Sequence, residues 1–236
     1  MKILVYTVSD FKTNALDCIK LLLLSFSKIN FDFKIITNNI KYKDFKDVIY
    51  DEFKCNYIGF LKYSKNIPHG YDRYIYLDSD ILYFGNVEAL FSDKDYSCVI
   101  DYLPMTDEWF LYRNHTQEYL ENVKNLNGFN AGTFSFVDIN FLKKIRDSFE
   151  TYIKNIKDKP EYDAQLEQSS YNLIISQEIN FDINKIHNLT DMTQLYSTIE
   201  SYQKNKKLYH FCGFTNEMQS KFYKMKNFYD QYARRN

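Results

Sequence analysis

The chain has 236 residues, which is enough for one large domain or two small ones. Its apolar fraction of 45% allows a sizeable core, and its scarcity of glycine (6) and proline (3) excludes collagen-like and linker-rich architectures. The formal net charge of −1 provides no overall field that would recruit nucleic acid, so we expect no nucleic-acid partner.

Short apolar runs alternate with segments of helical periodicity along most of the chain. The N-terminal run is too short for a signal peptide and predicts a core strand instead. In chain order, the predicted elements are strand 2–8, helix 13–28, strand 31–37, helix 57–66, strands 73–77, 96–101 and 132–137, helices 138–157 and 163–176, strand 207–211 and a helix within 216–233. This order favours an α/β fold with a mainly parallel central sheet and helices on both faces. Such sheets bind ligands beyond the carboxyl ends of their strands.

The cysteines and the aliphatic runs bear on location. Cys18, Cys55, Cys98 and Cys212 form no CxxC pair, and we interpret them as reduced thiols of a cytosolic protein. The longest aliphatic run, Leu21–Leu24, is far shorter than a membrane span. We therefore expect a cytoplasmic protein, either free or peripheral at the membrane.

Asp78 and Asp80, in the stretch YIYLDSDILYFG, directly follow the predicted strand 73–77. Two carboxylates at the end of a core strand are unfavourable unless something neutralises them. A solvated turn is one interpretation of this pair. The other is a site for Mg²⁺ or Mn²⁺, whose open coordination positions commonly take phosphate oxygens.

Three further stretches each have a structural and a functional interpretation. His210, in LYHFCG, is either a packed residue at a strand end or a third metal ligand. As a ligand, its imidazole nitrogen would favour Mn²⁺ over Mg²⁺. Asn130, in NGFNAGTFSF, suits an ordinary turn or a hydrogen bond to a polar substrate that approaches the backbone closely. EQSSYN, at 167–172, is either a solvated helix face or part of a functional site. The chain has no GxGxxG, P-loop or GxSxG motif.

Together these stretches resemble the retaining glycosyltransferases of the GT-A fold, especially glycosyltransferase family 8, which includes glycogenin and bacterial lipopolysaccharide galactosyl- and glucosyltransferases. The segments YLDSDIL, FNAG, EQSSYN and HFCG occur in the family's order, and the likeness extends from residue 2 to about residue 221. The resemblance implies a hexosyltransferase that uses a UDP-sugar of glucose or galactose. It further implies Mn²⁺ or Mg²⁺ as cofactor and a saccharide, glycolipid or glycoprotein as acceptor, as in polysaccharide biosynthesis.

The resemblance also implies roles for individual residues. The metal ligands would be Asp78, Asp80 and His210, with Asp78 also reaching the ribose. Residues in contact with the donor would be Tyr6, Thr7 and Val8 at the base and ribose, Lys62 near the sugar and phosphate, and Asp101 and Asn130 at the sugar. Glu167 and Gln168 would match the family's Asp-Gln pair, and Asn172 the Asn four residues after that Gln.

Two positions depart from the family pattern. Glu167 stands where the family usually has Asp, and the extra methylene shifts the carboxylate. Asn216 stands where the family tends to have a lysine after its HxxG motif, so Lys221 is the nearest lysine that could bind the donor diphosphate. We therefore expect the leaving group to depend more strongly on the metal.

The implied chemistry is transfer with retention of configuration. Gln168 is a poor nucleophile, so we favour attack of the acceptor hydroxyl from the leaving-group face, with Gln168 supporting the developing positive charge and Glu167 as the fallback nucleophile. Three alternatives remain: an inverting GT-A transferase, a nucleotide-sugar hydrolase and a non-catalytic module that binds nucleotide sugars.

The C-terminal segment has its own pattern. We expect a GT-A domain over residues 1–220 and a basic, aromatic helix over 221–236. Apolar residues recur along one side of this helix, at Phe222, Met225, Tyr229 and Tyr232. The pattern fits either a helix packed on the domain or a peripheral anchor at anionic lipid.

Overall fold

The structure is a computed structural model, and it describes residues 1–11, 14–53, 57–111, 115–155, 163–195, 203, 205–212 and 218–235. The strands are β1 (Ile3–Val8), β2 (Asp32–Thr37), β3 (Val48–Tyr50), β4 (Arg73–Leu77), β5 (Ile81–Tyr83), β6 (Tyr96–Pro104), β7 (Asn127–Phe136), β8 (Ile186–Asn188), β9 (Thr193–Gln194) and β10 (Leu208–His210). The α-helices are α1 (Ala15–Ser25), α2 (Gln117–Val123), α3 (Asn140–Asn155), α4 (Asp163–Glu178) and α5 (Met218–Arg235).

The large sheet confirms the predicted α/β fold. Within the described residues, seven strands follow the order β3-β2-β1-β4-β7-β6-β8. All neighbours in this sheet are parallel except β7, which runs antiparallel to both β4 and β6. Because β4 and β6 both oppose β7, the carboxyl ends of β1, β4 and β6 lie at the same edge of the sheet.

Helices cover both faces of this sheet, as the sequence predicts. Tyr6 and Tyr76 are buried on one face in a cluster that includes Tyr171 of α4, and Phe141 and Ile145 of α3 belong to the same cluster. On the other face of the same strands, the alternate residues belong to a second cluster that includes Leu22 of α1. These residues are Ile3, Val5, Ile75 and Leu77. The strands are buried on both faces because successive side chains point to opposite sides.

A small second sheet, which the sequence analysis did not predict, has the order β5-β10-β9. In it His210 pairs with Ile81, and the amide of Phe211 donates to the Asp80 carbonyl over 3.0 Å. Because β5 begins directly after Asp80, this pairing carries the end of β10 to the aspartate pair. The predicted strand 207–211 is observed as Leu208–His210.

The terminal helix α5 packs on the domain. Met225 and Phe228 are buried in a cluster with Cys18 and Leu21 of α1 and with Tyr209 of β10. Phe222 and Tyr229 pack against the same cluster, and Tyr232 stacks on Phe84. The described apolar side of the helix therefore has an intramolecular partner.

Several boundaries differ from the sequence expectations. The segment predicted as helix 57–66 forms the short 3-10 helix Ile58–Tyr63, which ends where Ser64 adopts an extended conformation. Strand 132–137 extends back to Asn127, and the short elements α2, β3 and β8 were not predicted. The predictions for Cys55, Gly213, Asn216 and the ends of helices 138–157 and 216–233 fall partly or wholly outside the described residues.

Two further sequence expectations concern thiols and membranes. Cys18, Cys98 and Cys212 are free thiols, and burial raises the pKa of Cys18 to about 12. Among the described helices, none is both long enough and apolar enough to cross a membrane.

Candidate active site

Asp78, Asp80 and His210 converge at the carboxyl edge of the sheet. Their potential ligand atoms lie within 4.8 Å of one another. The His210 Nε2 atom is 3.5 Å from Asp78 Oδ2 and 3.3 Å from Asp80 Oδ1. The two aspartates directly follow β4, and the histidine is the last residue of β10. Asp80 and His210, 130 positions apart in sequence, therefore belong to one cluster.

The other oxygen of each aspartate is held by a protein donor. Lys221, on α5, donates to Asp80 Oδ2 over 2.5 Å. The Tyr76 hydroxyl donates to Asp78 Oδ1, and the Lys62 Nζ atom is 3.8 Å from the same oxygen. Each carboxylate therefore presents one oxygen to His210 and has the other oxygen engaged.

The cluster fits a divalent metal by its chemistry and by the space beside it. Two carboxylate oxygens and an imidazole nitrogen form a mixed donor set that suits Mn²⁺ better than Mg²⁺. Gly132 lies directly against the cluster: a Cβ at this position would approach His210 Cε1 to 2.4 Å and Asp78 Oδ2 to 2.8 Å. A side chain here would displace two of the three ligands, so the glycine leaves room for them.

The electrostatics favour ionised carboxylates. Burial alone would raise the pKa of Asp78, but Lys62 and His210 outweigh it and lower that pKa. For Asp80, burial is likewise outweighed, by His210 and Lys221, and its pKa lies far below the ordinary value. Burial opposes protonation of His210, yet Cys212, Asp80 and Asp78 raise the pKa of its imidazole well above the usual range.

Lys62 connects the cluster of Asp78, Asp80 and His210 to α4. Its ammonium donates to the Ala131 carbonyl over 2.9 Å and is 3.3 Å from Glu167 Oε2, and its side chain is only 2% exposed. The other Glu167 oxygen accepts from the Tyr63 hydroxyl. Burial raises the pKa of Glu167, which Lys62 and Tyr63 only partly offset.

The hydroxyls of Tyr63 and Tyr76 were missed by the sequence analysis. Tyr63 directly follows Lys62 and Tyr76 lies two residues before Asp78. Their proximity in sequence to predicted site residues was the only available signal, and an aromatic run predicts core packing equally well.

Gln168 and Asn172 hold the backbone of β7. The Gln168 Oε1 atom accepts from the Ala131 amide over 3.3 Å, and Asn172 makes a pair of hydrogen bonds with the backbone of Phe129, of 2.7 Å and 2.9 Å. Between them lies Asn130, whose Oδ1 atom accepts from the Gly132 amide over 2.9 Å. Half-buried Gln168, next to buried Glu167, is therefore the more accessible member of that pair.

The remaining predicted donor contacts lie at the same sheet edge. Asp101 lies in β6 at the irregularity between the pairs that Ile100 and Pro104 make with β7, and its Oδ1 atom accepts from the amides of Tyr102 and Leu103. Burial raises the pKa of Asp101. Tyr6 is wholly buried and donates its hydroxyl to the Lys62 carbonyl over 3.1 Å, so it supports the segment that carries Lys62.

Thr7 and Val8 are the last residues of β1, which pairs with β4, the strand that precedes Asp78 and Asp80. Both are buried, and Thr7 Oγ1 has no hydrogen-bond partner among the described residues. A buried hydroxyl without a partner is unfavourable, so Thr7 is a polar group that a ligand at this edge could satisfy.

No family model and no curated protein matches the chain. Solved structures do match in fold. The apo glycosyltransferase GlyE from Streptococcus pneumoniae TIGR4 superimposes with a TM-score of 0.56 at 11% identity, over 100% of this chain and 64% of that protein. The galactosyltransferase LgtC, in complex with donor and acceptor sugar analogs, gives 0.54 at 13% identity, over 97% of this chain and 95% of LgtC.

Apo mouse xyloside xylosyltransferase 1 gives a TM-score of 0.52 at 14% identity, over 89% of this chain and 96% of that protein. The chain thus spans about two thirds of GlyE but nearly the full length of the other two. At these identities the likeness concerns the fold, and it agrees with the resemblance found in the sequence. The chain has the GT-A fold of glycosyltransferases, with an Asp-x-Asp pair at the carboxyl edge of its central sheet.

Proposed function

We propose that the protein is a metal-dependent glycosyltransferase that transfers a hexose, glucose or galactose, from a UDP-sugar to a saccharide or glycan acceptor with retention of configuration. The observation that carries this proposal is the convergence of Asp78, Asp80 and His210. Such a site suits a divalent ion that also binds a diphosphate. The donor and acceptor sugar analogs bound to LgtC, which has the same fold, support both partners.

The protein's own residues would position the donor. Asp78, Asp80 and His210 would hold the ion, which when bound stabilises the charge on a diphosphate leaving group. Lys221 would add a positive charge beside Asp80. Thr7 and Val8 would lie at the nucleoside, with Tyr6 behind them.

The sugar would lie towards β7 and β6. Asn130 and Asp101 are polar side chains at this part of the edge, and Lys62 holds the Ala131 carbonyl between them and α4. Gln168, which is half-buried and bonded to the Ala131 amide, would support the charge that develops on the sugar ring. Glu167 is the less suitable nucleophile because Lys62 and Tyr63 already engage its two oxygens.

These contacts favour retention by attack from the leaving-group face. A covalent route needs a carboxylate free to approach the anomeric carbon. Since Glu167 is buried and engaged, the proposal assigns it the positioning of Lys62 and keeps it as nucleophile only in the alternative route. The acceptor, whether a free saccharide, a glycolipid or a glycoprotein, would bind at the same edge of the sheet.

Peripheral membrane contact through 221–236 belongs to the same proposal as a second role of α5. The apolar side of this helix packs on α1, so contact with lipid would depend on its lysines and on Arg234 and Arg235 at its end. Such contact would be electrostatic and sensitive to salt.

The test is a screen of nucleotide sugars with Mn²⁺, first by thermal shift and then by release of free nucleotide with and without candidate acceptors. We expect a UDP-hexose to stabilise the protein only when the metal is present. Release of nucleotide that is equal with and without acceptor would indicate a hydrolase, and binding without release would indicate a non-catalytic module. The anomeric configuration of the product separates retention from inversion.

A further inference from the structure

Lys221 reaches the metal cluster from the far end of the chain. Its Nζ atom is 2.5 Å from Asp80 Oδ2, across a separation of 141 residues. Its side chain is 18% exposed, whereas the Asp80 side chain is 7% exposed. The ammonium therefore lies at the boundary between the buried carboxylate and the open edge of the sheet.

The helix that carries Lys221 is fixed in place. Met225 lies one turn further along α5, on the same side as Lys221, and is fully buried against α1 and β10. Phe228 is buried in the same cluster. Core packing thus fixes the backbone from which Lys221 extends towards Asp80.

The contact with Lys221 gives the two oxygens of Asp80 different partners. The Oδ1 atom is 3.3 Å from His210 Nε2, on the side where the three potential ligands meet, and Oδ2 is bonded to Lys221. A cation between the three ligands would find only Oδ1 available. Asp80 would then bind through one oxygen, which leaves more coordination positions for oxygens of a ligand.

The positive charge of Lys221 should weaken the binding of the divalent ion when no other ligand is present. A positive charge next to a metal ligand opposes the binding of a divalent cation. An ammonium has three donors and Asp80 uses one, so the others can bind an anion next to Asp80. An anionic diphosphate would remove the repulsion that the bare ion experiences.

We propose that Lys221 is a positioning residue that holds Asp80 as a one-oxygen ligand and makes the binding of the cation and of a diphosphate mutually dependent. The inference rests on the proposed function, since it assumes that the site takes a divalent cation and a nucleoside diphosphate. Linkage requires that each ligand strengthens the other by the same factor.

The test compares Lys221→Met with the wild-type protein by calorimetry, using Mn²⁺ alone, UDP alone and each in the presence of the other. We expect Lys221→Met to bind Mn²⁺ alone about tenfold more tightly, a change of about 1.4 kcal/mol. We also expect UDP to strengthen Mn²⁺ binding by a smaller factor in this variant. Lys221→Arg, which retains the charge, should behave like the wild type.

The matched control is Lys226→Met, which removes a lysine of the same helix that pairs with Asp230 at the surface. It should leave both affinities and their mutual dependence unchanged. Unchanged or weaker binding of Mn²⁺ alone by Lys221→Met would overturn the inference, as would an Arg variant that behaves like Met. A lower melting temperature with both affinities weakened would assign Lys221 to holding α5 only. A wild-type protein that binds neither ligand would instead refute the proposed function itself.

Discussion

Two lysines lie beside the aspartate pair, Lys62 at Asp78 and Lys221 at Asp80, and their surroundings differ. Lys62 is 2% exposed and lies among Asp78, Glu167 and the Ala131 carbonyl, all within the main sheet and its helices. Lys221 is 18% exposed and bonds to Asp80 from a helix at the edge. The interior lysine is thus part of the core as well as of the site, whereas the peripheral one acts chiefly on the site.

The largest expected effect is that of Lys62→Met on stability. Removing this ammonium leaves Glu167 without its buried cation, and breaking a buried pair on one side costs about 3–5 kcal/mol. The measurement is the free energy of unfolding in denaturant. The matched control is Lys144→Met, whose partner Glu178 lies near the surface, with an expected loss of about 0–1 kcal/mol.

Adding Glu167→Gln to Lys62→Met should restore part of the lost stability. The double variant no longer buries an uncompensated carboxylate, so the two changes should not be additive. If Lys62→Met and Lys144→Met lose the same stability, the buried pair of Lys62 and Glu167 stabilises the fold no more than a surface pair, and the assignment of Lys62 to the core is wrong.

Met225→Ala should destabilise the protein by about 2–5 kcal/mol, because it leaves a cavity between α5 and α1. Tyr223→Ala, at an exposed position of the same helix, should change the free energy of unfolding by less than about 0.5 kcal/mol. A negligible effect of Met225→Ala, combined with salt-sensitive binding of the intact protein to anionic vesicles, would instead assign this side of the helix to the membrane.

Gln168→Ala should lower the rate of transfer by about 10²-fold, comparable to the loss of one donor that stabilises a transition state. Its affinity for the donor should change only a few-fold, because the interaction strengthens as charge develops. Glu167→Gln should remain active. Activity in this variant would exclude the covalent route through Glu167, whereas a glycosyl adduct on Glu167 seen by mass spectrometry would establish it.

The smallest expected effect concerns pH. Burial raises the pKa of Glu167 above its ordinary value of 4.5. A group whose pKa is higher in the folded state contributes stability below its unfolded pKa and loses that contribution as the pH rises through the folded value. Wild type should therefore lose stability relative to Glu167→Gln as the pH rises from 4 towards neutrality. The opposite slope would mean that Lys62 and Tyr63 outweigh burial.

The sequence predicted the parts of the site that carry local signals. A buried strand running into Asp78 and Asp80, and a histidine before a glycine, were visible as patterns, and so was the α/β alternation. The small sheet was not visible, because β5 and β9 have only three and two residues and the predicted strand at β10 gives no sign of its partners. Its pairing of His210 with Ile81 is nevertheless what completes the cluster.

Contacts between distant segments were equally hidden. Nothing local to Lys221 or Asp80 indicates their contact across 141 residues, which depends on how α5 packs against α1. The same holds for Lys62 and Glu167, which meet because the 3-10 helix Ile58–Tyr63 and α4 both lie beside Ala131 of β7. The sequence therefore indicates candidate residues for the chemistry, and tertiary packing determines which partners they contact.

The central claim is that Asp78, Asp80 and His210 bind a divalent cation that a nucleotide sugar requires. Calorimetry of UDP-hexose binding with and without Mn²⁺, in wild type and in Asp80→Ala, tests it most directly. Asp47→Ala, at an exposed carboxylate paired with Lys34, is the control. We predict metal-dependent binding in wild type and Asp47→Ala, and none in a folded Asp80→Ala protein. Equal donor affinity in Asp80→Ala and wild type, each with Mn²⁺, would contradict the account.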